Sequence, residues 1–148
     1  MTSSDIETAD RLTRKRARML PFLAIIFLSQ QAAYFADSHP QVRTVDHVKV
    51  GAWLLLSVVL LLALATGGYW FKPKNVRALM DDEVTRANRA EAFRIGFLVT
   101  MVAGIGLYFL DQLVPMQGRE SIHILVTVGI ATALITFGAL ERRALKDG

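Results

Sequence analysis

MDDEVTRANRAEAFRIGFLVTMVAGIGLYFLDQL, residues 80–113, passes from a charged half to an apolar half with no proline between them. Asp81, Asp82 and Glu83 stand where a helix would start, since acidic side chains accept from the free amides of a first turn and favour its positive end. Asp82 and Arg86 are spaced i,i+4 with the acid first, and Glu91 and Arg94 i,i+3, the spacings of ion pairs along one helix face. From Ile95 to Leu113 the run is about the length needed to cross ~30 Å of hydrocarbon at 1.5 Å per residue. The stretch predicts one helix in two solvents: a cytoplasmic extension over roughly 81–94 that continues into a membrane span over 95–113.

Three further apolar runs, Leu20–Ala36, Val50–Phe71 and Ile122–Leu140, have similar lengths, in a chain of 148 residues that is 53% hydrophobic with mean hydropathy +0.37. They leave no room for a second folded unit. The expected fold is therefore all-α: a single integral membrane four-helix bundle, up-down-up-down, with short loops between antiparallel neighbours. Basic residues set the orientation, because cytoplasmic loops collect Lys and Arg. With the N-terminus inside, only Arg43, Lys49 and Arg119 of the 17 basic residues fall outside. Both termini are expected in the cytoplasm of a bacterial cell, with the chain multi-pass in the inner membrane. The same segregation argues against direct nucleic-acid binding despite a pI near 9.8.

Met1–Arg18 turns from acidic to basic just before the first run, as a signal peptide does, but SQQAAYFADS after the run offers no small-x-small cleavage site, so an uncleaved anchor is expected. Pro21 falls near the start of that span, where a missing amide hydrogen costs little. Gln30, Gln31 and Tyr34 occupy its outer third. Neighbouring glutamines point about 100° apart, so both cannot face a narrow seam, whereas Gln30 and Tyr34 share a face. These side chains read first as interhelical hydrogen bonding or snorkelling, and second as a polar outer pocket with Asp111 and Gln112. The second span is the most apolar, with Trp53 and the Tyr69-Trp70-Phe71 group as interfacial belts, and is expected to face lipid. His39, His47 and His123 all fall on the outer side, near Asp37, Asp46, Asp111 and Glu120. They are read as solvated interfacial residues rather than a metal or proton site, since no motif spacing joins them.

The absence of cysteine excludes disulfides and thiolate metal or iron–sulfur sites. No Gly-rich phosphate loop, HExxH or Gly-x-Ser-x-Gly is present, and no span carries an ionisable residue near its middle, where a coupled carrier would keep one. No cofactor is expected, and an enzyme is not. Small residues on the last two spans (Ala103, Gly104, Gly106; Gly129 and Ala133) are expected to form a close seam within the chain, or else a homodimer face.

Asp-Asp-Glu at 81–83, then Asn88, Ala90 and Ala92, then Phe93-Arg94 leading into a span, resembles a loop motif of small uncharacterised bacterial four-helix membrane proteins of the DUF2178-like type. The likeness covers Leu79–Phe97, with Val84 where an arginine often follows the glutamate. It implies a membrane component that binds or restrains a cytosolic helix-turn-helix regulator, and it implies no catalytic residues. The corresponding expectation is a non-catalytic regulatory protein whose cytoplasmic face, Arg77, Asp82, Glu83, Arg86, Arg89 and Arg94, binds such a regulator. The alternative is a small-molecule or ion transport or binding protein that uses the outer pocket of Gln30, Gln31, Tyr34, Asp111 and Gln112.

Overall fold

The computed structural model describes residues 3–36, 44–68 and 74–147. Every regular element among them is helical: α1 (Ser3–Ala36), α2 (Thr44–Thr66), α3 (Lys74–Met80), α4 (Glu83–Leu113) and α5 (Gly118–Asp147). Three of these, α2, α4 and α5, are long and apolar enough to cross a membrane. Ser29, Gln30, Gln31 and Pro21 dilute the apolar run of α1.

The charged-to-apolar stretch is one unbroken helix, α4, started by Asp82, whose side chain accepts from the Thr85 amide at 2.7 Å. Other boundaries differ from the apolar runs for identifiable reasons. α2 stops at Thr66 because Gly67 and Gly68 take φ of 75° and 73°, the left-handed conformation that ends helices and that only glycine adopts cheaply. The aromatic group at 69–71 lies outside the described residues. The following connection contains a helix of its own, α3, whose Val76 and Met80 bury against Ala9 and Leu12 of α1. That contact extends α1 well before its apolar run.

Pro21 consequently lies in the interior of α1 and not near its start. It cannot donate to the carbonyl four residues earlier, that of Ala17. Arg142 of α5 supplies the missing donor, its Nε lying 3.0 Å from the Ala17 oxygen. The proline ring also packs on Gly138, where an added Cβ would lie 2.7 Å from its Cδ and 2.8 Å from its Cγ. A local defect in one helix thus becomes a specific junction between two.

α5 is the central helix, packed along its length by α1 and α4 and more lightly by α2. Arg16 with Glu141, Pro21 with Gly138, Gln31 with Thr127 and Tyr34 with His123 show that α1 and α5 run antiparallel. Buried positions recur at alternating steps of three and four: Ala17, Leu20, Ala24, Phe27 and Gln31 on α1, and His123, Thr127, Ile130, Leu134, Phe137 and Glu141 on α5. Trp53, Ser57, Leu60 and Leu64 continue the pattern on α2. This is the 3.5-residue seam of left-handed helix packing. α4 crosses α5 where Gly96 faces Gly129 and Ala133: a Cβ on Gly96 would lie 3.1 Å from the Gly129 carbonyl oxygen, and one on Gly129 would lie 2.5 Å from Thr100 Oγ1. The small pair Gly129 and Ala133 is therefore used within the chain, against Gly96 and Thr100 and not against Gly106. Large apolar side chains point outward instead, among them Leu55, Val58, Phe97, Val102, Ile105 and Phe109. A folded chain with this surface is suited to lipid and not to water.

Glycine substitutions separate contact from propensity. Gly138→Ala is expected to destabilise the detergent-solubilised protein by about 1–3 kcal/mol, since the Pro21 ring cannot rotate out of the way. Gly106→Ala, with nothing within 4 Å of the new methyl, is expected to be neutral or slightly stabilising. Thermal unfolding midpoints check both, and equal effects would reject the Pro21–Gly138 junction.

Candidate functional site

At the end of the bundle where α5 begins, His123 opens the buried face of that helix and is 3% exposed. Its imidazole is held between two aromatic rings: Trp53 of α2 stacks at 3.8 Å with 21° between planes, and Tyr34 of α1 at 4.5 Å with 7°. One turn inward, Trp53 Nε1 donates to Thr127 Oγ1 at 3.2 Å, and Thr127 Oγ1 donates to Gln31 Oε1 at 2.9 Å. This chain fixes the indole and hence the orientation of the stack. Over it lies a recess of about 130 Å³ lined by Gln30, Ala33, Tyr34, Lys49, Trp53 and His123. At ~30 Å³ per water that is room for roughly four waters or one small molecule. Three buried polar atoms at this end have no partner among the described residues: Gln30 Oε1, Gln31 Nε2 and His123 Nδ1. Each such atom costs on the order of 1–3 kcal/mol unless something bonds to it.

Gln30, Gln31 and Tyr34 thus come together, with the two glutamines dividing the work as their angular separation requires: Gln31 bonds in the seam and Gln30 borders the recess. Asp111 and Gln112 do not join them. Both are exposed, and Asp111 Oδ1 accepts from the Met116 amide at 2.8 Å, which closes the α4–α5 turn. His123 is not a solvated interfacial residue, nor is Trp53 a belt residue; both are recess walls. His39 and Asp37, and the side chains of Asp46 and His47, lie outside the described residues. No group of three or more metal-ligating side chains occurs among the described residues.

The opposite end of the bundle holds a second polar centre that the sequence reading missed. Arg16 is 6% and Glu141 2% exposed, and they pair at 2.6 Å through Arg16 Nη2 and Glu141 Oε2. The same guanidinium lies 3.1 Å from Thr85 Oγ1, 3.4 Å from the Met80 carbonyl oxygen and 3.4 Å from that of Gly67. Thr85 Oγ1 donates to Glu141 Oε1 at 3.1 Å, and Asn88 Nδ2 approaches the same oxygen at 3.5 Å. Phe137 lies beneath the cation, its ring centre 5.4 Å from Cζ. A planar group with five donors suits such convergence better than an ammonium would. The available signal was helical spacing: Glu141 stands four residues beyond Phe137 on the seam of α5, and Arg16 four before Leu20, beside Ala17 on that of α1.

Of the residues predicted to form a partner-binding face, Arg77, Glu83, Arg86 and Arg94 are exposed. Arg86 does not pair with the Asp82 carboxylate, which caps α4; its Nε reaches the Asp82 carbonyl oxygen at 3.5 Å. Arg94 does pair with Glu91 at 2.9 Å. Arg89 is largely withdrawn, 16% exposed, ion-paired with Asp81 at 3.0 Å beneath Gly67. No protein-family model matches the chain, and no curated protein or solved structure matches it either.

Proposed function

We propose that the chain is a non-catalytic, four-span protein of the bacterial inner membrane, with both termini cytoplasmic, that binds a small polar molecule at the outer end of its bundle. Support for α1 as a fourth span comes from its pairing with α5 at both ends. Arg16 to Tyr34 rises about 27 Å at 1.5 Å per residue, close to the thickness of the hydrocarbon. The observation that carries the ligand reading is His123, buried between Trp53 and Tyr34, with Nδ1 unpartnered among the described residues, beside a recess that Gln30 also lines. Aromatic walls with a few convergent polar atoms are the ordinary composition of a small-molecule site. The chain has two tryptophans, so Trp70→Phe leaves Trp53 as the sole reporter. Titration of that variant with acetamide, acetate and glycine is expected to give a saturable fluorescence change with at least one of them, abolished by His123→Phe. A response that is absent for all three, or unaltered by His123→Phe, would reject the reading.

A second reading, the restraint of a cytosolic helix-turn-helix regulator, is favoured by the exposure of Arg77, Arg86 and Glu83 around the α3–α4 corner. It no longer draws on Arg89 or the Asp82 carboxylate, whose partners are internal. Capture from cytosol by the solubilised protein, with identification of the bound chain, is expected to retain a small DNA-binding protein on the wild type and to lose it from Arg77→Glu, Arg86→Glu. Retention by both, or by neither, counts against this reading.

A further inference from the structure

A cavity of about 510 Å³ opens between α1 and α5 at the inner end, bordered by Arg14, Ala17, Arg18, Arg142, Leu145 and Lys146. Four cationic side chains border it, and among the described residues no carboxylate does. That contrasts with the adjacent centre, where Glu141 neutralises Arg16. The acidic residues of the N-terminal turns, Glu7 and Asp10, border a separate cavity farther from the apolar run and meet this one only through Arg14. Four like charges around one concavity repel unless an anion lies between them. Their placement is not accidental to the fold: Arg142 is fixed by its bond to the Ala17 carbonyl, the acceptor that Pro21 leaves open.

Arg14 and Arg18 share a face of α1, and the same face reaches Phe22 and Ile25 four and seven residues beyond Arg18; each is 61% exposed. On α5, seven residues back from Arg142, Ile135 is 44% exposed. A cationic basin therefore leads into an exposed apolar track at the depth where the membrane run begins. A free phosphate would use only the basin, whereas an amphiphile with an anionic head and an acyl chain would use both.

We infer that this groove is a binding site for an anionic phospholipid, its phosphate held by Arg14, Arg18, Arg142 and Lys146 and an acyl chain lying along Phe22, Ile25 and Ile135. The site requires the bundle to stand in a bilayer and is indifferent to what the outer recess binds. Delipidated protein in detergent, offered equal amounts of phosphatidylglycerol and phosphatidylcholine and examined by native mass spectrometry, is expected to retain one phosphatidylglycerol per chain in preference. Arg14→Gln, Arg18→Gln removes two exposed charges and is expected to weaken retention about 25-fold, at about fivefold per charge, with helicity by circular dichroism unchanged. Arg119→Gln, at the opposite end, is expected to have no effect. Phe22→Asn, Ile25→Ser is expected to weaken lipid retention without creating phosphate sensitivity, and 10 mM inorganic phosphate is expected to displace little lipid from the wild type. Equal retention of the two lipids, retention unchanged by Arg14→Gln, Arg18→Gln, or displacement of the lipid by inorganic phosphate alone would overturn the inference.

Discussion

The ion pair between Arg16 and Glu141 is the constraint on which the remainder of the structure depends. Through one guanidinium, α1 reaches the carbonyl after α2, the last carbonyl of α3, the Thr85 hydroxyl in the first turn of α4 and the carboxylate of α5. Lipid tails are as apolar as leucine, so helices in a membrane gain little by burying apolar faces against each other, and close packing and polar bonds must select the arrangement. Taking both charges out of water is expensive, which makes each dependent on the other and on the Thr85 and Asn88 bonds around them. The position of the pair at the edge of the apolar runs keeps that cost below what it would be at the middle of a span.

Between this centre and the His123 recess, α1 and α5 are joined by an apolar seam of Leu20, Ala24, Phe27, Ile130, Leu134 and Phe137. Polar selection thus acts at both ends and shape selection between them. Pro21 with Gly138 fixes the axial register near the ion pair, and Gln31 with Thr127 fixes it near the recess. A shift of one residue would break both, and would part Arg16 from Glu141 as well. The two ends are consequently linked through a helix, α5, that carries His123 and Glu141 on one buried face.

The helical class and the continuity of residues 83–113 were legible because hydropathy and charge vary on the length scale of a span, and that variation survives without tertiary information. Seam residues were harder to read, since lipid-facing and buried positions are both apolar: Phe27 is buried while Ile25 and Ile26 are not, with no contrast in side-chain type to separate them. The outer pocket was half legible. Gln30, Gln31 and Tyr34 announced themselves as polar groups in an apolar run, but His123 and Trp53 have ordinary interfacial roles, and only the parallel course of α2 and α5 brings them together. Asp111 resembled a pocket residue because its local bond to the Met116 amide leaves no periodic signature. Arg16 was hidden in a run of basic residues whose distribution already had an explanation in membrane orientation, and Glu141 was masked by the two arginines that follow it.

The measurement that bears most directly on this account is a double-mutant cycle on the ion pair, read by reversible unfolding of the protein in mixed micelles. Arg16→Met and Glu141→Leu each leave an uncompensated buried charge and are predicted to cost about 3–5 kcal/mol alone. Combined, they replace the pair with apolar groups, and the loss is predicted to be far smaller than the sum of the two. Additive losses, or single variants as stable as the wild type, would contradict the claim that this contact holds the helices together.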